Sequence, residues 1–100
     1  MTCVRIFKDG FSVKGHSTVN CEDLEGKLVC SSISSATYLV ANTITDVIGD
    51  KAEIKEADGE MFLKVEKASD KTRVMLDGFK LHMEGLQQQY SDRIKVYVEV

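Results

Sequence analysis

The sequence predicts an α+β fold, a two-layer α/β sandwich in which a mixed, mostly antiparallel sheet is covered by two helices in the order ββαββαβ. Three observations carry this. Short apolar/polar alternations stand near the start, in the middle and at the end of the chain. Two longer stretches repeat their apolar residues at helical steps of three and four. The first two pairs of alternations are each broken by Asp-Gly, a hairpin signal, at Asp9-Gly10 and Asp58-Gly59.

"TCVRIF" reads as the first strand, with Cys3 and Arg5 alternating against Val4 and Ile6. "KDG" follows, with Gly10 expected to take a positive φ. "FSVKG" is the second strand, Phe11 and Val13 on one face and Ser12 and Lys14 on the other. Ser17 to Lys27 is polar and aperiodic and reads as a loop. From Leu28 the period changes: Val29, Ile33, Ala36, Val40, Ile44 and Val47 mark one helical face, and Gly49 closes it. Serines and β-branched residues lower the intrinsic propensity of this helix, so packing must hold it. "AEIKEADGEMFLKVEK" gives two strands around Asp58-Gly59. Ser69 is the expected N-cap of a second helix with Thr72, Met75, Phe79, Leu86 and Tyr90 on its stripe and His82 and Met83 beside it. The last strand alternates Ile94, Val96, Val98 and Val100 against charged or tyrosyl positions. With no repeat and no internal boundary, residues 1–100 form a single domain.

At 43% hydrophobic the chain can bury a modest core. A formal net charge of −3, with thirteen basic residues spread among sixteen acids, excludes a concentrated basic face for direct nucleic-acid binding. Three cysteines without regular spacing form no disulfide framework. There is neither a signal-peptide pattern nor an apolar run of membrane-spanning length. The expectation is a cytoplasmic protein with reduced thiols and no membrane contact.

Two residues stand out as candidates for chemistry. Cys30 has a structural reading as a small core side chain, since free cysteine is among the most buried residue types. Its expected place in the first helical turn offers another, because unpaired N–H groups and the positive dipole end there favour a thiolate. Ser34, one turn later, shares its side of the helix. His16 is either a polar strand-end residue or the acid–base partner of Cys30, with Gly15 allowing a tight backbone before it. Cys21 reads as an exposed loop thiol and His82 as a packing or surface histidine. A zinc site from His16, Cys21, Cys30 and His82 has no recognised ligand spacing. Glu22, Asp23 and Glu25 read as solvated loop acids.

At these residues the sequence resembles a known family. "VKGHS" followed by "GKLVCSSIS" is similar to the Gly-His-Ala and Asp-Ile-Val-Cys-Ala-Ala-Val-Ser motifs of the bacterial ribosomal-processing cysteine proteases called Prp. The size, the hairpin before Gly-His, the long first helix, the Asp-Gly hairpin and the closing "QQQYSDRIKVYVEV" extend the likeness over the whole chain. The resemblance implies His16 and Cys30 as catalytic residues, with Gly15, Ser34 and Lys27 in supporting positions. It implies a cysteine endopeptidase, active through a Cys/His thiolate acyl transfer without a cofactor, and a homodimer. Its substrate would be the N-terminal extension of the large-subunit ribosomal protein numbered twenty-seven, cut after a pair of phenylalanines. Val19, Glu22, Asp23, Leu24, Glu25 and Gly26 would then belong to a loop that orders over the substrate.

Two positions depart from the family pattern. Ser17 replaces the alanine after the histidine. Lys27 replaces the aspartate three residues before the cysteine. Either Glu22, Asp23 or Glu25 takes over the aspartate's part, or a Cys/His dyad suffices, or Lys27 favours the thiolate by its charge. The rival from another class is a non-catalytic ribosome-associated or assembly-binding protein in which Cys30 is structural.

Overall fold

The structure, a computed structural model, describes residues 1–99. Strands β1 (Thr2–Phe7) and β2 (Gly10–Gly15) form a hairpin. Helix α1 (Leu24–Asn42) runs into a π-helical segment, Thr43–Ile48. A second hairpin, β3 (Ala52–Ala57) and β4 (Glu60–Val65), leads to α2 (Asp70–Gln89) and β5 (Ile94–Val98). The sheet order is β3-β4-β2-β1-β5, antiparallel except for the β1–β5 pair. This is the expected ββαββαβ architecture. Val100, expected in the last strand, lies outside the described residues.

The registers explain where the core sits. Val4 faces Val13, Ile6 faces Phe11, and Phe11 in turn faces Leu63, so one sheet face is apolar at its centre. Against it pack Val29, Ile33, Val40 and Ile44 from α1 and its extension, and Leu76, Phe79 and Met83 from α2. The Phe11 and Phe79 rings lie 4.3 Å apart between centroids, a tilted pair at the centre. Burying each ring contributes about 1.5–3 kcal/mol, so this contact alone matches a large part of a typical domain's net stability. Thr37 is buried inside α1 and satisfies its hydroxyl by donating to the Ile33 carbonyl at 2.6 Å.

The helices begin at capped ends. Ser69 caps α2 as expected, its hydroxyl accepting the Thr72 N–H. For α1 the cap is Asp23, whose Oδ1 accepts the Gly26 N–H at 3.0 Å. The helix therefore starts one turn earlier than its apolar stripe, and the expected loop up to Lys27 ends at Asp23. Two smaller expectations also change. Gly10 has no positive φ; the positive-φ residues are Gly15, Gly49 and Gly59. Gly10 is glycine because a Cβ there would strike the Leu63 carbonyl. Val47 is 79% exposed, because the wider π turn after Thr43 rotates it off the stripe that Ile44 continues.

Candidate active site

Strand β2 ends, the β3–β4 hairpin turns and α1 begins at one edge of the sheet. Between them lies a cleft of about 230 Å³. Val13, Ile33 and Met61 form its apolar floor. His16 and the Ala57–Glu60 tip form one wall, and Cys30, Ser34 and Tyr38, successive turns of α1, form the other. The Tyr38 hydroxyl donates to Glu56 of β3 and ties the two walls together. That bond pushes the Tyr38 phenol up from its ordinary value.

His16 is carried on a backbone shaped by two glycines. Gly15 has φ +101°, a left-handed conformation, and its N–H donates to the Gly59 carbonyl at 2.8 Å. Gly59 has φ +67°, and a Cβ there would come within 2.5 Å of His16 Nε2. The imidazole thus lies directly over the hairpin tip, in space that only glycine leaves free.

Cys30 is half-buried and sits in the second turn of α1, not the first. This corrects the expected first-turn position, from which unpaired N–H groups would have acted directly on the thiol. Two donors at the helix start are paired: Gly26 N–H with Asp23 Oδ1, and Lys27 N–H with the Asp23 carbonyl. The Cys30 Sγ instead accepts the Ser17 N–H at 3.2 Å. Among the described residues no hydrogen bond joins His16 to Cys30, although both line the cleft.

Ser17 is itself held on all sides. It is 3% exposed, its Oγ lies 2.7 Å from Thr2 Oγ1, and it donates to the Arg93 carbonyl at 3.0 Å. The Arg93 guanidinium donates to the Ser17 carbonyl (2.8 Å), to Asp23 Oδ2 (2.6 Å) and to Glu25 Oε1 (3.1 Å). Arg93, with the N–H groups of Gly26 and Val19, holds the Asp23 carboxyl at about 2, well below the usual range. Gly26 belongs to this cluster, since a Cβ there would meet Arg93 Nη1 at 2.8 Å.

The cleft thus brings together Gly15, His16, Cys30 and Ser34. It does not include Lys27, exposed on the first turn of α1, or Val19 and Leu24, which are 83% and 77% exposed. Glu22 is exposed, and Asp23, Glu25 and Gly26 surround Arg93 rather than the cleft. Cys21 and His82 are exposed elsewhere. Among the described residues no group of three or more His, Cys, Asp and Glu side chains could hold a metal ion, and no helix is long and apolar enough to cross a membrane. The residues that the sequence did not mark are Ser17 as a donor to sulfur, Arg93, Tyr38 and the hairpin tip. The Asp-Gly turn was visible; that it lies against His16 was not.

A thiol and an imidazole on the two walls of an open cleft, on a two-layer α/β frame, define the class: a cysteine protease. The chain belongs to the family described as cysteine protease Prp, whose model matches residues 1–95. No curated protein matches it. Among solved structures it is similar to an essential ribosomal processing protease Prp from Staphylococcus aureus. With a covalently linked product peptide, that structure has a TM-score of 0.85 at 16% identity, covering 99% of this chain and 100% of the other. With a substrate peptide the values are 0.86, 15%, 99% and 100%. A protein from Streptococcus mutans aligns at TM-score 0.74 and 13% identity, covering 97% of this chain and 90% of that one. At these identities the likeness shows the fold.

Proposed function

We propose that the protein is a ribosomal-processing endopeptidase that removes the N-terminal extension of a large-subunit ribosomal protein, the one numbered twenty-seven. The observation that carries this is the pairing of His16 and Cys30 across one cleft in a chain of the Prp family. The Staphylococcus aureus relatives, described as ribosomal processing proteases and bound to substrate or product peptide, support a ribosomal-processing role on a peptide substrate. The apolar floor of Val13, Ile33 and Met61 suits the apolar side chains that the family's cleavage site presents.

In this reading His16 accepts the Cys30 proton and the thiolate attacks the scissile carbonyl. The tetrahedral adduct collapses to an acyl-enzyme as His16 returns the proton to the leaving amine. Water, deprotonated by His16, then releases the acyl group and restores the thiol. Asp23 and Glu25 are both engaged by Arg93, and Glu22 is exposed, which favours a Cys/His dyad over a third carboxylate from the loop. Gly15 and Ser34 are supporting residues of the same cleft. A homodimer in the cytoplasm completes the proposal.

Incubating the wild-type and Cys30→Ala proteins with a peptide spanning the extension tests this, with products read by mass spectrometry. Wild type should cut at one bond and Cys30→Ala should not. Equal cutting by both would remove Cys30 from the reaction, and no cutting by either would favour a binding role.

A further inference from the structure

We infer that Arg93 is a positioning residue for the Cys30 thiolate: by gripping the 17–23 segment it aims the Ser17 N–H at Cys30 Sγ. The inference rests on the reading of Cys30 as nucleophile and adds a residue 76 positions from Ser17 in the chain.

The geometry leaves Ser17 little freedom. Its carbonyl is fixed by the guanidinium, and its hydroxyl is fixed by Thr2 and by the Arg93 carbonyl. The same guanidinium fixes Asp23 at the far end of the segment, and Asp23 fixes the first turn of α1, the helix that carries Cys30. One arginine therefore ties the donor and the acceptor of the Ser17–Cys30 bond into a single frame. Because the peptide group joining His16 to Ser17 supplies that N–H, the frame also sets the root of the imidazole. An N–H aimed at sulfur is a better partner for a thiolate than for a neutral thiol.

Arg93 acts here through position rather than through its own field. Its charge is matched by Asp23 at 2.6 Å, with Glu25 as a second, more exposed partner. With both carboxylates ionised the cluster is net negative, which by itself would disfavour a thiolate. Within the Arg93 cluster, the directed N–H works the other way. The other titratable groups facing Cys30 in the cleft are His16, Tyr38, Asp58 and Glu60, with Lys27 one turn earlier on α1. None of them contacts Arg93 through a hydrogen bond or ion pair among the described residues. The planar guanidinium fork holds three acceptors at once. Nη1 serves two of them while Nε serves the third, which a single ammonium cannot reproduce in the same directions.

The proposal is tested by the pH dependence of Cys30 alkylation by iodoacetamide, resolved from Cys3 and Cys21 by mass spectrometry, in the full chain. Wild type, Arg93→Met and Arg93→Lys are compared, with thermal melts confirming that each is folded. Arg93→Met should move the Cys30 midpoint upward, with roughly tenfold less thiolate at a fixed pH below the midpoint. Arg93→Lys should fall between the two. Hydrogen exchange at the Ser17 amide should speed up in the same order. A folded Arg93→Met protein with the wild-type midpoint overturns the inference. If that variant does not fold, a wild-type midpoint in Arg93→Lys does so. The readout needs no peptide cleavage. Cleavage by Cys30→Ala would therefore sink the proposed function without deciding the role of Arg93, which the alkylation midpoint decides alone.

Discussion

In the connection from β2 to α1, the Asp23 carboxylate accepts hydrogen bonds from Val19, Gly26 and Arg93. At the start of α2, the carboxylate of Asp50, which lies between the π-helical segment and β3, accepts from the Ser69 N–H, the Ser69 hydroxyl and the Thr72 hydroxyl. Each cluster anchors the start of a long helix, and in each the hydrogen bonds hold an aspartate below its ordinary range. The partners differ. Asp50 meets only groups at the α2 cap, and no thiol or imidazole is among its hydrogen-bond partners. Asp23 meets an arginine from the turn before β5, and the segment it closes presents an N–H to Cys30. Capping therefore explains the stability of both helix starts. Both carboxylates also tie together residues well separated in the chain; the start of α1 differs in holding a segment whose N–H is donated to a thiol.

The largest difference between the two halves should appear in their histidines. His16→Ala should lower kcat/KM for the extension peptide by roughly 10²–10⁴-fold, as loss of an acid–base group does. His82→Ala, on the exposed side of α2, should leave it essentially unchanged. A large loss at His82 with a small one at His16 would exchange their roles.

Next come two left-handed glycines. Gly49 has φ +88° with open space around its missing Cβ, whereas at Gly59 that space belongs to His16. Alanine at either should destabilise by about 1–2 kcal/mol through backbone strain. Only Gly59→Ala should also displace the imidazole and slow cleavage, by about a hundredfold for a misplacement near 1 Å. Equal cleavage rates in the two variants, at temperatures well below their melts, would mean that the hairpin tip does not hold His16.

The smallest effect concerns acid stability. Asp23 titrates at about 2 in the folded protein, below the roughly 3.9 of an unfolded chain. Its contribution is therefore complete above about pH 4 and is lost as pH falls toward 2. Asp50 shifts in the same direction. Melting temperatures of Asp23→Asn and Asp50→Asn should each fall less steeply than wild type between about pH 5 and about pH 2. Cys30 alkylation at neutral pH should slow in Asp23→Asn alone. A slope as steep as wild type in both would place the acid sensitivity in other carboxylates.

Much of the fold and half of the site were legible in the sequence, for identifiable reasons. Strands with one buried face alternate, so β1, β2, β4 and β5 could be read from Val4, Phe11, Met61 and Ile94 onward. Ser69 announced α2. The Gly-His and Cys motifs marked both walls of the cleft. The start of α1 was hidden because Leu24 and Leu28 are exposed and do not extend the buried stripe, while Gly26 reads as a loop residue. That glycine is there to admit Arg93. Arg93 itself looks like any polar residue before a strand, because its significance lies in partners distant along the chain. The π-helical turn gave no composition signal, and it misplaced Val47.

The arrangement also fixes an order of assembly. Cys30, His16 and the segment between them are all made early in synthesis, as is β1. The arginine that clamps them, and the strand that pairs parallel with β1, follow much later. A growing chain cannot complete the clamp until that late segment has emerged and docked, since long-range pairings form only after their loops close. A nascent chain that already carries Cys30 and His16 therefore lacks the clamp on Ser17, and the ribosome's own progress sets the earliest moment at which the Arg93 contacts can form.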